Sequence, residues 1–420
     1  MNERGTQRGS ARRSPARQSS DWTLVWALAF TVTMTYGVIY AFGVILEPME
    51  RELHLSRAQA SLPLTVAYLT AGLGAPLIGR ILDQRGAREV LTLGSALFAA
   101  LVYLHAHAHT LAHLLLISFG LGIAMACTLY DVVFTVVAVR LGEHRARAIL
   151  LVTLVGALAS TIFVPLATFL ESRYGWRGTL EILAITLAVL TVPVHAVLVR
   201  HVPSHTPRGT TKGRHASADV PRTSRPPARL TLLGSPSFWA IGGAFVLAKL
   251  AGGALGLHLV PLLAEQHLSA VVIAGAAGAV GVTQLVGRVV FTPFAERVPL
   301  PTLTAVVFLV HAIGIAALAF SHSALGLWAF VLLYGASNGA ITMSRALLVA
   351  DVFGTERYGT VNGLIALPVT IGFAVAPWLA GLAREVTGSY QLTLLGLILA
   401  LLGAAVLVRM GGTSPPSRRA

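Results

Sequence analysis

Charge is scarce in this 420-residue chain: Asp, Glu, Lys and Arg together make up 11% of it, where a soluble domain carries about a quarter. Acidic residues are the scarcer sign, 17 against 31 Lys and Arg, and there is one cysteine, Cys127. A lone cysteine excludes any disulfide within the chain. So few charges exclude an ordinary wetted surface. The sequence also gathers no nucleophile, acid–base pair or metal-ligand set of the kind an enzyme needs, so the chain reads as no enzyme and as requiring no cofactor.

What fills the space is apolar. Hydrophobic residues are 55% of the chain and the mean hydropathy is +0.74. A spanning helix takes about 20 mostly apolar residues, and runs of that kind occupy 24–46, 62–78, 90–106, 111–139, 148–170 and 180–199, then 238–263, 271–291, 303–320, 325–349, 361–383 and 392–408. This predicts an all-α integral membrane protein with twelve transmembrane helices in two six-helix bundles. The segment between the sets, "HVPSHTPRGTTKGRHASADVPRTSRPPAR", is too poor in large apolar residues to fold alone. The expected organisation is a basic tail at 1–21, a bundle at 22–200, a flexible linker at 201–236, a second bundle at 237–409 and a tail at 410–420.

Twelve crossings put both ends of the chain on one side. Five arginines (Arg51, Arg57, Arg173, Arg177 and Arg384) fall on the other side, Lys249, Arg288 and Arg345 fall within helices, and the remaining 23 of the 31 basic residues share the side of the termini. By the positive-inside rule both termini are cytoplasmic, in a multi-pass protein of the inner (plasma) membrane. The same rule accounts for a net charge of +14 and a pI near 10.9 without nucleic acid as a partner. Trp22, Trp26, Trp176, Trp239 and Trp328 sit near helix ends, where indoles anchor at the membrane interface.

The halves repeat. Tyr36, Gly43 and Pro48 recur as Lys249, Gly256 and Pro261 at a constant offset of 213, and Pro165 recurs as Pro377 at 212. Duplicated six-helix halves are a transporter architecture, with the substrate site at their interface near mid-membrane.

Ionised groups inside spans are costly, so they should face a polar cavity or one another. Asp131 and Lys249 lie at comparable depth, and Arg288 and Arg345 are shallower. Tyr36, Tyr130 and Asn338 are candidate polar lining. His105, His109 and His113 have helical spacing, but no carboxylate or thiol accompanies them, and no metal site is assigned.

The most polar knot is "GRILDQRGAR", 79–88, at the turn between the second and third spans. It resembles the major facilitator signature: Gly79, Asp83, Gly86 and Arg88 match, whereas Gln84 and Ala87 depart from it. A carboxylate at Asp83 can face the positive end of the eleventh helix, near Gly359, across the bundle interface. Such a contact would clamp one transport state yet break in every cycle. The stretch "YGVIYAFGVILEPMERELHLSRAQASLPLTVAYL" and "YGWRG" at 174–178 resemble the monocarboxylate-porter branch and its bacterial relatives. The resemblance implies that Arg288 holds a substrate carboxylate. In that family an aspartate stands one turn earlier, but here the position is Gln284, which cannot titrate, so proton coupling is expected at Asp131. The resulting expectation is a secondary transporter of small organic anions such as monocarboxylates, proton-linked and working by alternating access. An efflux antiporter for neutral or acidic hydrophobic compounds and a carrier-derived receptor are the alternatives.

Overall fold

The computed structural model describes residues 15–141, 144–199, 234–321, 323–353 and 358–412, and among these residues there is no strand. The expected linker lies almost wholly outside them, as do most of both tails. The first half contains α1 (Pro15–Glu52), α2 (Arg57–Arg85), α3 (Ala87–Ala106), α4 (Leu111–Thr128), α5 (Tyr130–Leu141), α6 (Arg145–Ala157) and α7 (Ala159–Leu198). The second contains α8 (Pro236–Glu265), α9 (Ala270–Ala295), α10 (Leu300–Phe320), α11 (Ala324–Phe353), α12 (Tyr358–Thr387) and α13 (Gln391–Gly412).

These helices make twelve crossings. α4 and α5 form one, interrupted at Leu129, and α6 with the first part of α7 forms another, interrupted at Leu158. The helical stretch Arg147–Leu198 is 52 residues, or about 78 Å at 1.5 Å per residue, far beyond the roughly 30 Å of a bilayer core. It divides at Gly175, whose φ of 66° departs from the helix. A side chain there would cost about 1–2 kcal/mol, which is why a glycine holds the corner. Both described ends therefore lie on one side, called here the terminal face; the opposite side is the far face.

Helix starts on the far face are fixed locally. The Ser56 hydroxyl accepts from the Gln59 amide while the Gln59 side chain accepts from the Ser56 amide, a reciprocal cap for α2. Thr110 and Ser269 cap α4 and α9 in the same way, from one side only. The perimeter exposes large apolar side chains, among them Leu116 at 73%, Val271 at 82% and Leu325 at 81%. A soluble protein would not present so broad a band; lipid covers it. Trp26, Trp239 and Trp328 belong to this exposed set. Trp176 does not. It is buried, and its indole N–H donates to Glu52 Oε2 at 2.6 Å, so it braces a helix corner instead of anchoring at lipid.

The halves meet along α2 with α12, α7 with α9 and α1 with α8, with a smaller contact of α6 with α9. At the α1–α8 crossing a Cβ on Gly43 would lie 3.0 Å from the Leu257 carbonyl and 3.7 Å from that of Gly256. Gly43 and Gly256 are partners in the internal repeat, so equivalent positions touch, as they must on a pseudo-two-fold axis. The α2–α12 pair does not stay closed along its length. Gly381 packs on Arg57, Ala58 and Ser61 at the far face, and Gly72 packs on Thr370 at mid-depth. Beyond that point Gly74, Gly79 and Gly363 have nothing within 4 Å of a would-be Cβ. Among the described residues this pair is closed toward the far face and parted toward the terminal face.

Candidate functional site

Above the split, polar side chains gather from both halves. α1 contributes Tyr36 and Tyr40, α2 Tyr68, and α5 Tyr130 and Asp131; the second half contributes Lys249 from α8, Gln284 and Arg288 from α9, Asn338 and Arg345 from α11, and Phe373 from α12. Every one is accessible to some degree except Gln284 and Arg288, which are buried at 9% and 8%.

Close helix packing positions them. A Cβ on Gly287 would collide with the Ala336 carbonyl, and one on Gly339 with that of Gln284, so α9 and α11 cross backbone to backbone. That crossing brings Arg288 and Gln284 beside the face of α11 that carries Asn338. Gly156 leaves room for the Tyr130 hydroxyl in the same manner. Tyr130 then stacks between Tyr36, at 4.8 Å between ring centroids, and Phe134, at 4.9 Å. Tyr68 meets Phe373 edge-on at 4.9 Å, bridging the halves.

The charges are arranged asymmetrically. Lys249 lies within electrostatic reach of both Arg288 and Arg345, and Asp131, exposed on α5, lies within electrostatic reach of Arg345 of the other half. Three cations thus converge from the second half against one carboxylate from the first. Arg288 also crosses the interface, its Nη1 donating to the Thr153 carbonyl at 2.6 Å, and Tyr40 interacts with both Arg288 and Gln284. A guanidinium has five N–H donors, so one carbonyl leaves most of its hydrogen-bonding capacity to other acceptors.

Of the residues expected from the sequence, Tyr36, Tyr130, Asp131, Lys249, Arg288, Asn338 and Arg345 come together here. Tyr40, Tyr68 and Phe373 went unread. Tyr40 had a signal, one helical turn after Tyr36; the other two sit in uncharged runs with none. The signature motif lies apart, at the terminal face. Gly86 has φ of 84° and makes the α2–α3 corner, while Arg88 Nε donates to the Ala196 carbonyl at 2.9 Å near the end of α7, a placement favourable for a cation. Asp83 is exposed; its expected partner, the start of the eleventh span near Gly359, adjoins residues 354–357, which lie outside the described residues. The histidine row is broken as well. α3 ends at Ala106 and α4 begins at Leu111, so His105, His109 and His113 share no continuous helix. No group of three or more potential metal ligands occurs among the described residues.

The chain resembles known proteins over most of its length. It is 26% identical to monocarboxylate transporter 13 of Bos taurus, over 85% of this chain and 81% of that one. It is 22% identical to the MFS-type transporter YcxA of Bacillus subtilis strain 168, over 84% and 85% respectively. Its fold matches a crystal structure of a bacterial homolog of the human lysosomal transporter Spinster, in an inward-facing and occupied conformation, with a TM-score of 0.67 over 95% of this chain and 96% of that one at 17% identity. The profile of the Major Facilitator Superfamily spans residues 28–377, and with that match over most of its length, on a twelve-span fold of two repeated halves, the chain belongs to the major facilitator superfamily of membrane transporters.

Proposed function

We propose that this transporter carries small organic anions, with monocarboxylates as the leading class, by exposing the central site to each face of the membrane in turn. The observation that carries the reading is the gathering of Lys249, Arg288 and Arg345 at a site where the one charged residue from the first half, among the described residues, is Asp131. An anion relieves the repulsion among those cations, and the planar fork of Arg288 suits a carboxylate. Likeness to monocarboxylate transporter 13 supports the same substrate class. The sealed far face and split terminal face support alternation, this conformation being one of its two end states. On the positive-inside rule the terminal face is cytoplasmic, in an inner-membrane protein.

In this reading Asp131 carries the coupled proton. It is the one carboxylate at the site, and Gln284 has no proton to exchange at pH 7. Asp131→Asn should abolish accumulation driven by a pH gradient while sparing exchange of labelled substrate across proteoliposomes. Wild-type accumulation in that variant would refute the assignment. A second reading, export of neutral or acidic hydrophobic compounds, draws on the aromatic lining formed by Tyr36, Tyr130 and Phe134. Counterflow of a labelled panel of acids and their amides separates the two: preference for acids supports the first, indifference to charge the second.

A further inference from the structure

The far-face seal is built around a histidine. His258, on α8, is buried and touches three other parts of the chain. Its Nε2 lies 2.8 Å from the Pro377 carbonyl on α12 and 3.1 Å from the Ser61 hydroxyl on α2. Its Nδ1 lies 2.8 Å from the Tyr390 hydroxyl, in the turn before α13.

The hydrogens can be placed by elimination. A carbonyl only accepts, so Nε2 carries the hydrogen that points at Pro377. Ser61 uses its own hydrogen on the Arg57 carbonyl at 2.7 Å, which leaves its oxygen to share the Nε2–H. Arg57 Nη1 can only donate, and it donates to the Tyr390 oxygen at 3.1 Å. The Tyr390 hydrogen is therefore free to point at Nδ1, which accepts it. Burial raises the Tyr390 phenol above its usual range and keeps it a protonated donor. Every partner is satisfied by one species, a neutral imidazole with its hydrogen on Nε2.

A second proton has no place in this arrangement. An N–H at Nδ1 would face the Tyr390 hydrogen, and turning that hydroxyl away would set an imidazolium next to the Arg57 guanidinium. Arg57 is itself held at 2.6 Å by Glu50 of α1. The other charged or titratable groups near this end are Glu47 and Arg51 on α1, which pair at 3.9 Å, His54 and His267 in the turns after α1 and α8, Arg384 and Glu385 on α12, with Glu385 accepting from the Ala58 amide at 3.4 Å, and Glu265 at the end of α8, which pairs with Arg384 at 2.6 Å. α9 and α13 carry no charged residue in their far-face halves. No carboxylate bonds to the imidazole to welcome the proton.

We infer that His258 is a proton-sensitive latch of the far-face gate: neutral, it ties α8 to α2 and α12, and protonated, it releases them. The inference rests on the alternating-access reading and adds a second titrating group to it, one that positions helices and touches no substrate. Protons on the far face would then favour opening toward that face.

The test uses the full chain in nanodiscs with Cys127→Ala and pairs of spin labels read by electron–electron resonance. Ala112→Cys with Leu325→Cys reports the far face, and Glu89→Cys with Glu296→Cys reports the terminal face. Acidification from about pH 7.5 to about pH 5.5 brackets an ordinary histidine. It should enrich the longer far-face distance about tenfold, the linkage expected over that interval when the open state binds the proton at an ordinary histidine pKa and the closed state excludes it, with reciprocal shortening at the terminal face. His258→Gln keeps a side-chain donor but cannot titrate, and should lose the pH step. Tyr390→Phe, a mild change should the first variant fold poorly, should raise the open population at the higher pH and shrink the step. A full pH step in either variant, or none in the parent chain, overturns the latch. Gly381→Trp, which cannot pack against α2, serves as a separate arm: if it fails to exchange the two distances reciprocally, alternating access itself is what falls.

Discussion

The two ends of the α2–α12 interface are made from the same pair of helices yet are opposites. At the far face, Ser61, His258, Pro377, Tyr390 and Arg57 are joined in one hydrogen-bonded ring, and Gly381 sits 2.8 Å, measured from a would-be Cβ, from the Arg57 carbonyl. At the terminal face Gly79 and Gly363 face open space and Asp83 is exposed. Ion pairs do not follow this division: four of the five far-face arginines, Arg51, Arg57, Arg177 and Arg384, pair with a glutamate of their own half, and at the terminal face Arg140 pairs with Asp21 at 2.6 Å. The contrast is confined to the α2–α12 pair, whose polar side chains are bonded where the two helices are closed and exposed where they are apart. Among the described residues no neighbour demands the glycine at 79 and Asp83 is exposed; in the proposed cycle the signature motif acts in a conformation other than this one.

The strongest way to break the comparison is to fill each end. Gly381→Trp should prevent far-face closure and Gly79→Trp should prevent terminal-face closure, so each abolishes net flux. Only Gly79→Trp should leave the present conformation intact, as read by the two spin-label distances. If both variants gave the same distances, the two ends would not be in opposition. Asp131→Asn comes next, with loss of gradient-driven accumulation.

Asp83→Asn is smaller. A carboxylate at a helix N-terminus contributes about 0.3–1 kcal/mol when exposed, roughly a 1.6- to 5-fold change in the ratio of states. The variant should favour the split terminal face by that factor. Unchanged accessibility of reporter cysteines at both faces, with normal flux, would remove the motif's proposed role. Smallest is Glu265→Gln. The Arg384–Glu265 pair is partly exposed, with side chains at 28% and 33%, and such pairs contribute less than about 1 kcal/mol. A shift of less than about fivefold in the far-face distance populations is expected; a larger one would make this pair, not the histidine ring, the main tie.

Much of this was legible in the sequence because a bilayer imposes coarse rules. Length and hydropathy of the runs gave the spans, and the gap between the runs 148–170 and 180–199 holds the corner at Gly175. Charges in apolar runs pointed to Asp131, Lys249, Arg288 and Arg345 because ionised groups there need a reason. What stayed hidden has no such cost. Leu129, where the fourth span breaks, lies in a stretch without glycine or proline. Tyr68 and Phe373 are apolar enough to sit anywhere in a bundle, and His258 alone in "LGLHLVPLL" reads as a neutral core residue until Pro377 and Tyr390, more than 100 positions away, are brought to it. Trp176 was misplaced for the related reason that a tryptophan near a helix end looks the same whether lipid or Glu52 receives its N–H.

The central claim is that the site selects for negative charge, and Arg288 tests it most directly. Loss of a charge-assisted hydrogen bond costs about 1.5–3 kcal/mol, roughly 10- to 150-fold in affinity. Because Arg288 also donates to the Thr153 carbonyl, its removal loosens the interface whatever the substrate, and an uncharged analogue of the same shape is the necessary control. The measurement is apparent affinity for a transported acid and for its amide in the parent chain, Arg288→Ala and Arg288→Lys. The account predicts a 10- to 150-fold loss for the acid in Arg288→Ala, partial recovery in Arg288→Lys and little change for the amide. Equal losses for acid and amide would contradict it and reduce Arg288 to a tie between the two halves.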